Sequence, residues 1–202
     1  MKKQFILLVA FALITTILSA QSNSIKGTFW NPNPRNYEVE QAFEVESLVP
    51  MFFTGGYHFA VSYRYKKFRL RASVINGGDY NVDVQALSGS VDGYERYYTT
   101  SPGIFLGYNV WRNLEIYGYA ERHTFKVKQL LTSENQNIPS TDLGIGISYQ
   151  FFIGRVFYIQ PGIHSYFRAD QTATYSNNER YSIPTFELSP VVRIGARLWS
   201  KR

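Results

Sequence analysis

The sequence contains no cysteine and only two methionines among its 202 residues. Without thiols there is no disulfide framework, no thiolate metal site and no lipidated cysteine. Past residue 20 there is no apolar run long enough for a spanning helix. Whatever follows that point can cross a membrane only as strands, because hydrocarbon offers no partners to an irregular backbone.

The N-terminus does carry an apolar run. Lys2 and Lys3 precede Phe5 to Leu18, and the small residues Ser19 and Ala20 follow. This is the pattern of a secretory signal peptide spanning 1–20, with Gln21 as the first mature residue; a retained anchor is the alternative. Its removal leaves 182 residues and a formal charge of +4, because Lys2 and Lys3 leave with it. Aromatic residues make up 17% of the chain, including 16 tyrosines, and mean hydropathy is slightly negative at -0.22. Strands that are apolar on one face and polar on the other have this composition.

The stretch "YHFAVSYRYKKFRLRASV" (57–74) shows the alternation directly. Two period-two segments flank a Lys-Lys turn. Eight such segments run approximately over 38–48, 57–65, 68–75, 103–111, 114–125, 143–151, 156–168 and 186–199. Their connections alternate. Lys66-Lys67, Arg112-Asn113 and 153–155 are minimal, whereas 49–56, 75–102, 126–142 and 169–185 are long, and within them 76–101 and 171–182 are rich in turn and polar residues. An even strand number with tight turns at one end and long loops at the other predicts an all-β, eight-stranded antiparallel up-and-down transmembrane β-barrel.

In a membrane the two faces exchange their usual roles, so the polar set must point inward. The expected lumen charge network is Glu40, Glu44 and Glu46 on the first segment, Arg64, Arg69 and Arg71 on the second and third, and Glu187, Arg193 and Arg197 on the last. These segments become neighbours on closure, which sets opposite charges side by side. Aromatics beside the tight turns form an expected interfacial girdle: Tyr63, Tyr65, Phe68, Tyr108, Trp111, Phe151, Phe157 and Trp199. Trp199 is out of phase with Ile194, Ala196 and Leu198.

This pattern resembles small outer-membrane barrels of the OmpA/OmpX type over about residues 38–199, and "LSAQ" resembles signal peptides of Bacteroidetes. The resemblance implies a bacterial outer-membrane location with both termini periplasmic. Residues 21–37 are then a periplasmic strap or plug, and 200–202 a short tail. Chains of that type commonly end on an aromatic residue, whereas here Ser-Lys-Arg follows Trp199.

Catalytic chemistry finds little support. Lipid A deacylases of similar barrels need a serine, a histidine and an acid together. His164 and Ser165 are adjacent in one segment and face opposite ways. Glu121 and His123 share a face, with no serine evidently presented to them. His58, His123 and His164 are too separated in sequence to read as a metal site. No catalytic, cofactor or metal residue is expected.

The sequence reads as a non-enzymatic structural or interaction barrel, either freestanding or an accessory subunit of a larger outer-membrane complex. The alternatives are a narrow channel or transport barrel for small or apolar solutes, and then a lipid A-modifying enzyme. Expected partners are outer-membrane lipid, lipopolysaccharide and other outer-membrane or periplasmic proteins, the last through Phe29 and Trp30. Nucleic acid is not expected.

Overall fold

The computed structural model describes residues 32–79, 81–82 and 92–202; the signal segment and the Phe29–Trp30 pair lie outside the described residues. A short helix, α1 (Pro34–Tyr37), precedes β1 (Gln41–Leu48), a 3-10 turn (Val49–Phe52), β2 (Tyr57–Tyr65) and β3 (Phe68–Asn76). Next come β4 (Tyr94–Tyr98), β5 (Ser101–Trp111), β6 (Leu114–Gln129), β7 (Asn135–Tyr149) and β8 (Phe151–Ile153). The chain ends with β9 (Phe157–Phe167), β10 (Gln171–Thr174), β11 (Arg180–Ile183) and β12 (Phe186–Lys201).

Strands β1, β2, β3, β5, β6, β7, β9 and β12 pair antiparallel in that order, and β12 returns to β1 to close an eight-stranded barrel. β4 and β8 add short rungs against β6 and β9, while β10 and β11 form a separate hairpin.

Alternation sets the two faces. On β2 the side chains of Phe59, Tyr63 and Tyr65 are exposed, while His58, Ser62 and Arg64 are buried. The same holds around the barrel, with Leu70, Leu106, Ile116, Ile145, Ile159 and Ile194 all outside.

Two irregularities re-aim side chains. Phe43 pairs with Trp199, but Glu44 pairs with Arg197, so Leu198 is an extra residue in the ladder. That bulge shifts the phase by one and turns Trp199 outward beside Phe43, both well exposed. A second break between Asn109 and Trp111 does the same for Trp111. The out-of-phase tryptophan of the sequence is thus a girdle-level side chain reached through a bulge.

The long-loop end differs from the expected solvated loops. The connection expected over 126–142 is mostly strand: β6 runs to Gln129, β7 begins at Asn135, and only 130–134 turn. Above the barrel, Val82, Tyr98, Phe125, Val127, Ile138, Tyr175, Tyr181 and Ile183 bury one another in a small apolar core. Tyr175 donates its hydroxyl to the Val127 carbonyl at 3.1 Å, and the Ser176 N–H donates to Glu134 at 3.0 Å, holding that carboxylate below its usual pKa range. The ends of β6 and β7, together with β4 and the β10–β11 hairpin, therefore make a folded cap. Truncating the fully buried Tyr181 to Ala should remove about 3 kcal/mol from this core. Protease should then cut at Arg180 while the barrel below stays intact; an uncut hairpin would show that the cap does not rest on its apolar core.

Candidate functional site: a layered lumen

Among the described residues thirteen charged side chains are buried: seven arginines and six carboxylates, all inside the barrel or its cap. They form two layers separated by aromatic rings.

The layer near the short turns is centred on Arg69. Its guanidinium lies 2.8 Å from Glu44, 2.9 Å from Glu46 and 3.2 Å from Glu115, and it also donates to Tyr158 and Gln160. Glu46 sits 2.7 Å from Arg71 and 3.4 Å from Arg193, and accepts from the Tyr158 hydroxyl at 3.0 Å. Arg197 pairs with Glu44 at 2.7 Å and donates to the Asn36 carbonyl at 2.8 Å, tying α1 to this end. Arg64 has no carboxylate within ion-pair distance; it donates to Gln150 at 2.6 Å, and its Nε and Nη1 make no hydrogen bond. Five arginines face three glutamates here, a surplus of two positive charges.

Above it lie Phe105, Tyr117, Tyr119 and Tyr166, with His164 among them, the Phe105 and Tyr119 rings stacked at 5.1 Å. Facing glycines make room for these rings. Tyr117 lies against Gly146 and Tyr119 against Gly144, directly across the β6–β7 ladder, and Tyr158 covers Gly195.

The second charged layer holds Arg168, 2.6 Å from both Asp142 and Glu187, with Arg96 also on Glu187. His123 stands 3.4 Å from Glu121 and 3.7 Å from Asp142. Three carboxylates face two arginines in this layer.

The sequence-expected network splits on this description. Glu44, Glu46, Arg64, Arg69, Arg71, Arg193 and Arg197 meet in the lower layer and Glu187 joins the upper one. Glu40 is corrected to the rim, half-exposed and 3.7 Å from Lys201, because it precedes β1 and has no interior to face. Sequence reasoning missed Asp142 and Arg96, since both fell in stretches read as loops. Their signal was alternation: Ser140, Asp142 and Gly144 on one face, and the "YERYY" of β4 on the other strand. The girdle residues Tyr63, Tyr65, Phe68, Tyr108, Trp111, Phe151, Phe157 and Trp199 are all exposed near the short-turn end.

Chemically the lumen is closed. Arg64, Arg69, Arg71, Arg193, Tyr117 and Tyr158 are almost wholly inaccessible, so no continuous water path passes them. Ser165 donates to the Ile145 carbonyl and Ser140 to Asp142, so neither hydroxyl is presented to a histidine. No three metal-binding side chains gather among the described residues. A cavity of about 50 Å³ lies on the cap side of the aromatic layer, reached by His58, His123, His164, Glu121, Glu187 and Arg193.

No protein-family model matches the chain, and no curated protein matches it. Several solved structures align with it at low similarity. The N-terminal β-barrel domain of Pseudomonas aeruginosa OprF aligns at 11% identity with a TM-score of 0.48, over 79% of this chain and 98% of that one. Neisserial surface protein A aligns at 10% with a TM-score of 0.42, over 79% and 95%. A major outer membrane protein of Thermus thermophilus aligns at 12% with a TM-score of 0.43, over 78% and 99%.

Proposed function

We propose that this chain is a non-enzymatic integral β-barrel of a bacterial outer membrane, with the short turns and both termini on the periplasmic side and the cap outside the cell. One observation supports the reading above all others. Along β6 the inward positions run Glu115, Tyr117, Tyr119, Glu121, His123, Phe125 and Val127, and the outward ones run Ile116, Gly118, Ala120, Arg122, Thr124, Lys126 and Lys128. Between residues 120 and 125 the sense of the amphipathic pattern inverts without a break in the strand. Below that point apolar groups face out and charges face in; above it the reverse holds. A strand leaving hydrocarbon for water needs this inversion, whereas a barrel in water would expose an apolar band to solvent.

The aromatic ring near the short turns is one membrane interface, and Tyr57, Phe167 and Phe186 begin the other. The charge-filled lumen supplies rigidity and leaves no conductive path. Function therefore falls to the two ends. The cap is the outward-facing recognition surface, and Phe29 and Trp30, which precede β1 in sequence, are the residues offered to other envelope proteins. Lipid and lipopolysaccharide surround the barrel.

Refolding the mature chain into phosphatidylcholine vesicles tests this. The folded band should migrate faster on unheated than on heated SDS gels, stay with the vesicles in alkaline carbonate, and give no conductance in planar bilayers. A monodisperse monomer in detergent-free buffer would sink the proposal.

A further inference from the structure

Four junctions join neighbouring strands at the short-turn end: β2 to β3, β5 to β6, β8 to β9, and the meeting of β12 with β1. They fall at every second strand boundary, so they circle the barrel. Each carries at least one cation. Lys66 and Lys67 form the first turn, Arg112 begins the second, and Arg155 follows Gly154 in the third. At the fourth, Lys201 and Arg202 end the chain beside Arg35 of α1, whose carbonyl accepts from Arg202 at 3.5 Å. Against these seven cations the described surface of this end sets two carboxylates, Glu38 and Glu40, the second 3.7 Å from Lys201. In sequence, segment 21–31 adds Lys26 and no acid. The cap end has the opposite balance, with six carboxylates and four cations on its described surface.

Two of the turns place their cations against backbone preference. Lys66 and Arg112 take φ of 53° and 50°, the left-handed region that glycine and asparagine enter most readily. In the third turn Gly154 occupies that region, at φ 73°, and the cation stands one residue on. The side chains lean over the outside of the wall. Lys66 Nζ is 5.4 Å from the centre of the Tyr65 ring, Lys67 Nζ 5.8 Å from that of Tyr108, and Arg112 Cζ 4.6 Å from that of Trp111. All three rings belong to the exposed girdle. These cations therefore stand on the outer rim, between the aromatic belt and water, at the depth where a bilayer holds its phosphates. The lumen strengthens their field, because the lower charge layer, with its surplus of two arginines, lies at the same end.

We propose that this rim binds anionic phospholipid, of the phosphatidylglycerol class, in the leaflet facing the periplasm; the proposal rests on the membrane orientation given above. Charge selects the head group, since a ring so rich in cations favours a net negative lipid over a zwitterionic one. Position selects lipid over a soluble acidic partner. The ring surrounds the wall, and its side chains lie on lipid-facing aromatics, which sets them among head groups and not against one docked face. The attraction is electrostatic and acts within a Debye length, so it weakens with salt.

Two of the three tryptophans, Trp111 and Trp199, sit in the girdle at this end and report on it directly. With Trp30→Phe to silence the third, the chain is folded into phosphatidylcholine vesicles. Phosphatidylglycerol or phosphatidylcholine carrying a nitroxide at the top of one acyl chain is then titrated in. Half-maximal quenching should need about five-fold less of the anionic lipid, and high salt should bring the two curves together. Lys66→Asn, Lys67→Gln, Arg112→Asn and Arg155→Gln combined should erase the preference without loss of stability, because asparagine suits the left-handed turn positions. A reporter at the other interface, Phe186→Trp with Trp111→Phe and Trp199→Phe added, should be quenched equally by both lipids. Glycerol phosphate should displace the anionic lipid no better than chloride at matched ionic strength. Equal quenching with the native turns, a preference that survives their neutralisation, or specific displacement by glycerol phosphate overturns the proposal; the second result leaves the ring to an acidic protein and the third to a free anion. Quenching by neither lipid removes the membrane assignment itself, so the two failures are distinguishable.

Discussion

Glu46→Gln, a change that keeps size and removes charge, should destabilise the folded barrel by about 3–5 kcal/mol, a large share of the roughly 5–15 kcal/mol that holds a typical domain together. Arg64→Met, at a site just as buried, should change stability by no more than about 1 kcal/mol. The difference follows from the lower charge layer. Glu46 is shared by Arg69, Arg71 and Arg193, and its loss raises the positive surplus from two to three while depriving Arg193 of its one carboxylate partner. Among the described residues Arg64 has no carboxylate within ion-pair distance, and its removal lowers the surplus to one. Urea titration of vesicle-folded protein, followed by tryptophan fluorescence, gives both numbers. If the two substitutions cost the same, the surplus of guanidinium is not what governs this layer. A surface pair offers the baseline: Lys128, 4.0 Å from Glu95 and part-exposed, should contribute less than about 1 kcal/mol.

The second large effect concerns a single methyl group. A Cβ at Gly144 would lie 2.1 Å from the Ser165 carbonyl oxygen and 2.3 Å from the Tyr119 ring, whereas at Gly118 the nearest atom is 3.8 Å away. Both glycines lie in adjoining strands of one ladder, and Gly118 faces out where Gly144 faces in. Gly144→Ala should therefore cost about 1–3 kcal/mol or more, since the carbonyl belongs to a neighbouring strand and cannot swing aside. Gly118→Ala should stay within about 0.5 kcal/mol. The same titration checks the pair. Equal tolerance would mean that the tyrosine layer has slack the packing does not show.

Much of this could be read from one dimension. Eight alternating segments, their order and the facing of Arg64, Arg69, Arg71, Arg193 and Arg197 follow from a period of two, which leaves each side chain only two directions to point. The cap was not readable in the same way. Its strands continue the same register, yet Phe125, Val127 and Ile138 face in where Glu115 and Glu121 faced in below, so a search for apolar-out alternation loses the signal just where the surroundings change. The facing of Trp199 and Trp111 was hidden for a different reason. One inserted residue in a ladder reverses every later side chain, and pairing with the partner strand, not the strand's own sequence, decides where the insertion is absorbed.

The sequence alone determined the eight barrel strands, the tight turns at one end and the separation of oily from charged faces, because these depend on neighbours along the chain. Closure decided the rest. Which arginine meets which glutamate and how far charge is left unbalanced in each layer are set by the stagger of strands far apart in sequence. Only when β12 meets β1 does Glu44 come to lie opposite Arg197 and Leu48 opposite Arg193.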